Sequence, residues 1–229
     1  MSKVNLGNVT LVSMTSVDIE NTIEALKYSC KDVNFGCVKL ITHENPKNLP
    51  SFIKYEYIDK MNRDEWSYNS LFRLHEYIDT DFMVLIQPDG FVVNGHSWKD
   101  EFYEYDYIGA PWGFKNLFER GTNNTKDWLI DREGKIIRVG NGISLRSKKL
   151  LEIPSKYNMP WVARDGNYNE DTQICIWNRD LFLDHGIKFA EYDVAKYFSQ
   201  EEHFDDYQGI KPFCFHNFGG KNEIYKNLW

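Results

Sequence analysis

Residues 8–14 read NVTLVSM, with Val9, Leu11 and Val12 too densely apolar for a strand with one wet face, so the pattern predicts a buried first strand. Ile19, Ile23, Leu26 and Cys30 then recur at helical spacing over residues 16–30, with Ser16 placed as a cap. FGCVKLIT (35–42) reads as a second strand and SFIKYEYI (51–58) as a short third. Strand, helix, strand in this order predicts parallel neighbours joined by a right-handed crossover. In DEWSYNSLFRLHEYI (64–78), Trp66, Leu71, Leu74 and Ile78 mark the face of a second helix that turns toward the sheet. FMVLIQ (82–87) is apolar at successive positions, which predicts a central strand buried on both faces. Pro88 lacks the N–H a ladder needs, so the strand ends there and Asp89 surfaces at its carboxyl end.

Beyond this point the alternation weakens. WKDEFYEYDYIGAPW (98–112) predicts a helical turn from Trp98 to Phe102 and a short strand at Tyr107 and Ile108, broken by Gly109 and Pro111. Residues 113–135 are polar and Gly-rich, with DREGK (131–135) as a turn between two short extended pieces; a loop of this length predicts a mobile segment over a site. VGNGISLRSKKLLEI (139–153) predicts an extended segment ending at Val139, a tight turn at Gly140, Asn141 and Gly142, a short strand, and a helix capped by Ser147. NEDTQICIWNRDLFLDHG (169–186) predicts a helix from Glu170, ended by Gly186. The tail carries a strand-like segment, His216, Gly219, Gly220 and a last short helix. The whole reads as one α/β domain over residues 1–229, with a mixed, mostly parallel central sheet flanked by helices.

A formal charge of −7, spread without any basic block, gives no footprint for nucleic acid, and none is expected as a partner. Cys30, Cys37, Cys175 and Cys214 form no CxxC pair, so buried free thiols in a reducing compartment are expected. No run of about 18 apolar residues and no leader pattern occurs, and the expected location is cytoplasmic, without a transmembrane segment.

Three acidic or imidazole positions carry candidate chemistry. Asp89 suits either a plain Asp-Gly turn or a hard oxygen ligand for Mg²⁺ or Mn²⁺, ions held by one or two carboxylates plus substrate phosphates. Glu170 and Asp171 are adjacent, so they do not face each other; they are either favourable charges at a helix start or one carboxylate aimed into a cleft as a base. His216, between phenylalanines and a glycine pair, is either a structural histidine or a ligand to the same metal as Asp89. Trp112, Trp161 and Tyr168 suit both sugar stacking and core packing.

Taken in order, YNSLFRLHEYIDTDFMVLIQPDGFV, WKDEFYEYDYIGAPW, VGNGISLRSKKLLEI, NEDTQICI and KPFCFHNFGG resemble a little-characterised family of glycosyltransferases in the GT-A superfamily, found in polysaccharide gene clusters and some viral genomes. The order of the five motifs carries the resemblance, over roughly residues 8–220. It implies a single GT-A, Rossmann-like domain that binds a nucleotide-diphosphate sugar and transfers the sugar, with inversion, to a glycan or other hydroxyl-bearing acceptor. By the same resemblance Thr15 and Val17 border the nucleotide, and Tyr68, Asn69 and Arg73 lie beside the base or diphosphate. Asp89 matches the last acid of a metal motif whose first acid is here Gln87, and His216 matches a late histidine ligand; Mn²⁺ or Mg²⁺ is the implied cofactor. Asn141 and Gly142 approach donor sugar and acceptor, Asp171 is the general base and Glu170 bonds a sugar hydroxyl. A nucleotidyltransferase-like enzyme and a non-catalytic carbohydrate-binding protein are the alternatives.

Overall fold

The computed structural model describes residues 2–112, 129–163, 166, 168–201 and 207–216, with Asn141 and Gly142 described by backbone alone. In chain order the strands are β1 (Val4–Met14), β2 (Val33–Thr42), β3 (Lys54–Tyr57), β4 (Phe82–Leu85), β5 (Phe91–Val92), β6 (Tyr107–Pro111), β7 (Val139–Ser147), β8 (Ser199–Gln200) and β9 (Cys214–Phe215). Six of them make one sheet in the order β3-β2-β1-β4-β7-β6, and the other three make a small sheet in the order β5-β9-β8. In the large sheet β1 pairs parallel with both β2 and β4, β2 parallel with β3, and β7 antiparallel with β4 and β6. β7 therefore runs alone against the direction of the rest, and the α/β sheet is mixed, as expected.

The apolar run of β4 explains its central place. Met83, Val84, Leu85 and Ile86 are all fully buried. Side chains alternate along a strand, so Val84 and Ile86 enter one core with Val9, Leu11 and Leu40, while Met83 and Leu85 enter the opposite core with Val12, Ile41 and Leu74. Each such side chain contributes about 1.5–3 kcal/mol by leaving water, and polar substitution at any of the four would forfeit that. Helix α1 (Ile19–Ser29) packs in the first of these cores through Ile23, Ala25 and Leu26. Helix α2 (Arg63–Phe72) starts in a reciprocal cap, Asn62 accepting from the Glu65 N–H while Glu65 accepts from the Asn62 N–H. It gives way at Arg73 to a tighter turn, Leu74–Tyr77, which delivers Leu74 and Ile78 to the second core. Helix α3 (Lys148–Lys156) is capped by Ser147, whose Oγ accepts from the Leu150 N–H, as expected.

Two local expectations are corrected. Ser16 does not cap α1: that helix starts after Asp18, in the left-handed conformation at φ 52°, and the Ser16 Oγ instead accepts the Met61 N–H at 2.8 Å, tying β1 to the approach of α2. Nor do Gly140, Asn141 and Gly142 form a turn between two elements: they lie within β7, at an irregularity where its pairing with β6 slips from Gly109–Ser144 to Pro111–Val139. Gly140 is required by a neighbour rather than by its dihedral angles: a Cβ there would stand 2.1 Å from Trp112 Cζ2. The turn within DREGK is present, bracketed by the Ile130–Ile136 bridge and by Ile137 N–H bonding to Leu129 O at 2.7 Å. Residues 113–128 of the expected mobile loop, the glycines at 219 and 220, and the last helix lie outside the described residues.

The segment expected as one helix from Glu170 is continuous in path but not in pitch. One α-turn (Glu170–Thr172) widens into a π-turn (Gln173–Trp177) and resumes as α-helix (Arg179–Asp184). It ends at Gly186, where the N–H groups of Gly186 and Ile187 bond back to Leu183 and Phe182 carbonyls. Gln173 is fully buried inside the π-turn, and its side-chain oxygen accepts from the Val162 N–H at 3.3 Å and from Asn178 Nδ2 at 3.2 Å. The widened turn thus clamps the chain that leads to Trp161. Among the described residues no helix is long and apolar enough to cross a membrane.

Candidate active site

β1 leads through α1 to β2 on one side, while β4 lies on its other side, so the strand order reverses between β1 and β4, and the carboxyl ends beside such a reversal are where α/β sheets hold ligands. Gln87 and Gly90 exchange two backbone bonds at 2.8 and 3.1 Å just beyond β4, leaving Pro88 and Asp89 as the tip of a tight hairpin. The side chain of Asp89 is 53% exposed there.

The small sheet explains what meets Asp89. Phe91 pairs with Phe215 across β5 and β9, and Phe215 pairs with Gln200 across β9 and β8. One step beyond these pairs, Gly90, His216 and Glu201 stand in a row, fastened by the His216 N–H bond to Gln200 O at 3.0 Å. The His216 ring lies over Gly90: a Cβ at that position would sit 2.7 Å from His216 Cδ2 and 2.6 Å from Ile143 Cγ1. On either side of the ring, Nδ1 is 3.3 Å from Glu201 Oε1 and Nε2 is 3.7 Å from Asp89 Oδ1. Burial by itself would lower His216, but the Glu201 carboxylate, with Asp89 and Glu170 behind it, outweighs burial and raises it above its usual value.

Among the described residues no three His, Cys, Asp or Glu side chains form a metal cluster by themselves. Asp89 and His216 nonetheless fit a shared divalent cation: two ligands about 2.1 Å from one ion stand roughly 3 Å apart when adjacent and roughly 4 Å when opposite. A carboxylate on the far nitrogen of the histidine, here Glu201, is also the usual device that orients an imidazole ligand.

Glu170 and Asp171 enter from the start of the broken helix. Glu170 is buried, and its Oε1 lies 3.3 Å from Nη2 of Arg146, a fully buried arginine on β7. Asp171, next along the chain, is half-buried. Burial, with the charge of Glu170 next, pushes it up to about 7, against the lowering pull of the Thr172 N–H and of Arg146. Glu201 adds to the same rise, and Glu170 acts on His216, so the acids of both chain segments share one field.

The other expected site positions divide. Thr15 and Val17 form a closed turn after β1, the Val17 N–H reaching Thr15 Oγ1 at 3.1 Å, beside an open groove lined by Ser16, Asp18, Ile19, Glu20, His43 and Glu44. Tyr68 projects from α2 edge-on to Trp161 at 5.6 Å, and Trp161 stacks on Tyr168 at 4.7 Å. Asn69 turns inward on its own helix, donating to Glu65 O at 2.7 Å. Arg73 lies at the far end of α2, paired with Glu76 at 3.2 Å, whereas Arg63 at the near end donates to Asn169 Oδ1 at 2.9 Å. Asn141 and Gly142 lie within β7, between Gly140 and Ile143. Sequence reasoning passed over Arg146, Glu201 and Arg63. Only Arg146 left a signal, as a lone cation in the strand ISLR, where a charge calls for a buried partner.

A family model of proteins of unknown function, DUF5672, matches residues 48–216. No curated protein matches the sequence. Among solved structures, that of an active-site mutant of LgtC superposes with a TM-score of 0.53 at 12% identity, over 92% of this chain and 88% of that one. The apo form of the glycosyltransferase GlyE from Streptococcus pneumoniae TIGR4 gives a TM-score of 0.47 at 12% identity, over 92% of this chain and 54% of GlyE. The likeness is one of fold, a GT-A, Rossmann-like α/β domain. Matched over most of its length by the family model, the chain belongs to DUF5672, a family of proteins of unknown function.

Proposed function

We propose that the protein is a glycosyltransferase, moving a sugar from a nucleotide-diphosphate sugar to a hydroxyl-bearing acceptor such as a glycan, with inversion at the anomeric carbon. The observation that carries this reading is the meeting of Asp89, His216 and Glu201 at the carboxyl end of β4 with Glu170 and Asp171 in the same electrostatic field. Asp171 takes the acceptor's hydroxyl proton as that oxygen attacks; a carboxyl near 7 is well matched to this task at neutral pH. Glu170, held by Arg146, accepts a hydrogen bond from a sugar hydroxyl and so orients the ring. Asp89 and His216 would hold Mn²⁺ or Mg²⁺, which would supply positive charge to offset the negative charge gained by the departing nucleoside diphosphate. The turn at Thr15 and Val17 with its adjoining groove receives the nucleoside, and Tyr68, edge-on to Trp161, offers an aromatic face to the base or diphosphate.

A thermal-shift panel of UDP-, GDP-, dTDP- and CMP-sugars, each with and without Mn²⁺, tests the reading. Stabilisation by one donor class, followed by release of nucleoside diphosphate when acceptor is added, is the expected result. Release of pyrophosphate would instead mark a nucleotidyltransferase-like enzyme, and glycan binding with no response to any donor would mark a binding protein. The anomeric configuration of the product, read by NMR, tests inversion.

A further inference from the structure

Arg146 is the holder of Glu170, yet a fully buried cation in the middle of a strand calls for a further reason. It is one of the largest fully buried side chains among the described residues, a cation with no exposure, set in β7 beside the core residues Ile143 and Leu145. Its contacts are few for a guanidinium. Nε donates to Ser144 Oγ at 2.9 Å, Nη2 reaches Glu170 Oε1 at 3.3 Å, and the group lies 5.8 Å from the centre of the Tyr107 ring. Nη1 is buried and bonds to no protein group among the described residues.

A guanidinium buried with one nitrogen lacking a partner among the described residues is poorly screened, and its field reaches farther than it would in water. We infer that Arg146 is a positioning residue: it grips Glu170 from beneath the site and sets the field in which the neighbouring Asp171 carboxylate receives a proton. The inference rests on the base role proposed for Asp171. Glu170, Glu201 and the Thr172 N–H also act on Asp171, and Tyr107 and Cys175 lie within the same group, but Arg146 is the cation that draws the Asp171 carboxyl downward. Glu170 and Arg146 thus act on it with opposite sign, so the two side chains form a matched set.

The test is a ¹³C NMR titration of the Asp171 carboxyl in the full chain, which reads the field without needing turnover. In Arg146→Met the midpoint rises by about one pH unit or more, the size a single nearby charge exerts. In Glu170→Gln it falls, in the double variant Arg146→Met/Glu170→Gln it returns near the parent value, and in Arg146→Lys, which keeps the charge, it stays closer to the parent than in Arg146→Met. If Arg146→Met alone does not fold, the comparison of the double variant with Glu170→Gln makes the same measurement, and equal midpoints there overturn the inference. Where transfer is observed, the acid limb of the kcat profile moves with the midpoint. Intact transfer with an unmoved midpoint defeats the role of Arg146 alone; a moved midpoint with no transfer from any donor defeats the proposed function and leaves the electrostatic role standing.

Discussion

Asp171 answers to two opposed demands. Ionised, it can take a proton from an acceptor; enclosed beside Glu170, it resists ionising. Its folded value, about 7, lies above the ordinary 3.8, so the folded chain holds this proton more tightly than the unfolded chain does. Linkage then requires that its contribution to stability be full below about pH 4 and be lost as pH rises to about 7. Asp171→Asn removes this penalty. The variant should lose about 10²–10⁴-fold in kcat, yet resist urea better than the parent at pH 8, with the difference vanishing toward pH 4. Urea melts of both proteins at the two pH values decide it, and a difference independent of pH would contradict the burial argument. How far such residues could be read from sequence varies. Asp89, Asp171 and His216 stood out by residue type and motif order, whereas Glu201 carries no local mark, since it reaches His216 only through the pairing of three two-residue strands.

Strands were the most legible part of the chain, and glycines the least. β4 announced itself by an unbroken apolar run and β1 by a dense one, because both are buried on both faces. The glycines of β7 were read only in part: Gly-Asn-Gly is breaker chemistry by local rules and marks the slip in the β6–β7 register, while the constraint acting on Gly140 comes from Trp112, outside its local stretch of sequence. The broken helix at 170–184 was similarly half-readable: its start and its Gly186 end follow local signals, but the π-turn arises from buried Gln173 holding Val162 and Asn178. Gly90 shows the same logic at the site itself. Asp-Gly reads as a turn pair, and the turn is there, but the missing side chain also makes room for the His216 ring. Gly90→Ala should therefore displace the imidazole and cut turnover at least about tenfold while costing about 1–3 kcal/mol through overpacking. The ¹H–¹⁵N signals of the His216 ring report the displacement; an unchanged ring environment with full activity would show that the space is not needed.

At the level of the whole fold, the divalent-cation candidates sit outside the large sheet, on a hairpin and a small sheet drawn from the middle and the end of the chain. A ligand bridging Asp89 and His216 ties those segments together, so binding should register as global stability and not as a local effect. At about a hundred times its dissociation constant, each of the two ligands, Mn²⁺ and a nucleoside diphosphate, adds about 2.7 kcal/mol. Asp89→Asn should erase the Mn²⁺-dependent part of the shift in Tm and spare the part due to nucleotide alone. Equal Mn²⁺ responses from variant and parent would separate Asp89 from the cation.

The row formed by Gly90, His216 and Glu201 bears on how the protein comes into being on the ribosome. Every strand of the large sheet has been made once residue 147 has emerged, whereas the row needs residue 216 to dock between the recently made Glu201 and Gly90, which was made long before. A nascent chain can thus own a nearly finished scaffold while still lacking its centre. A fragment stopped short of Cys214 would keep the strands of that scaffold and have nothing with which to complete the row.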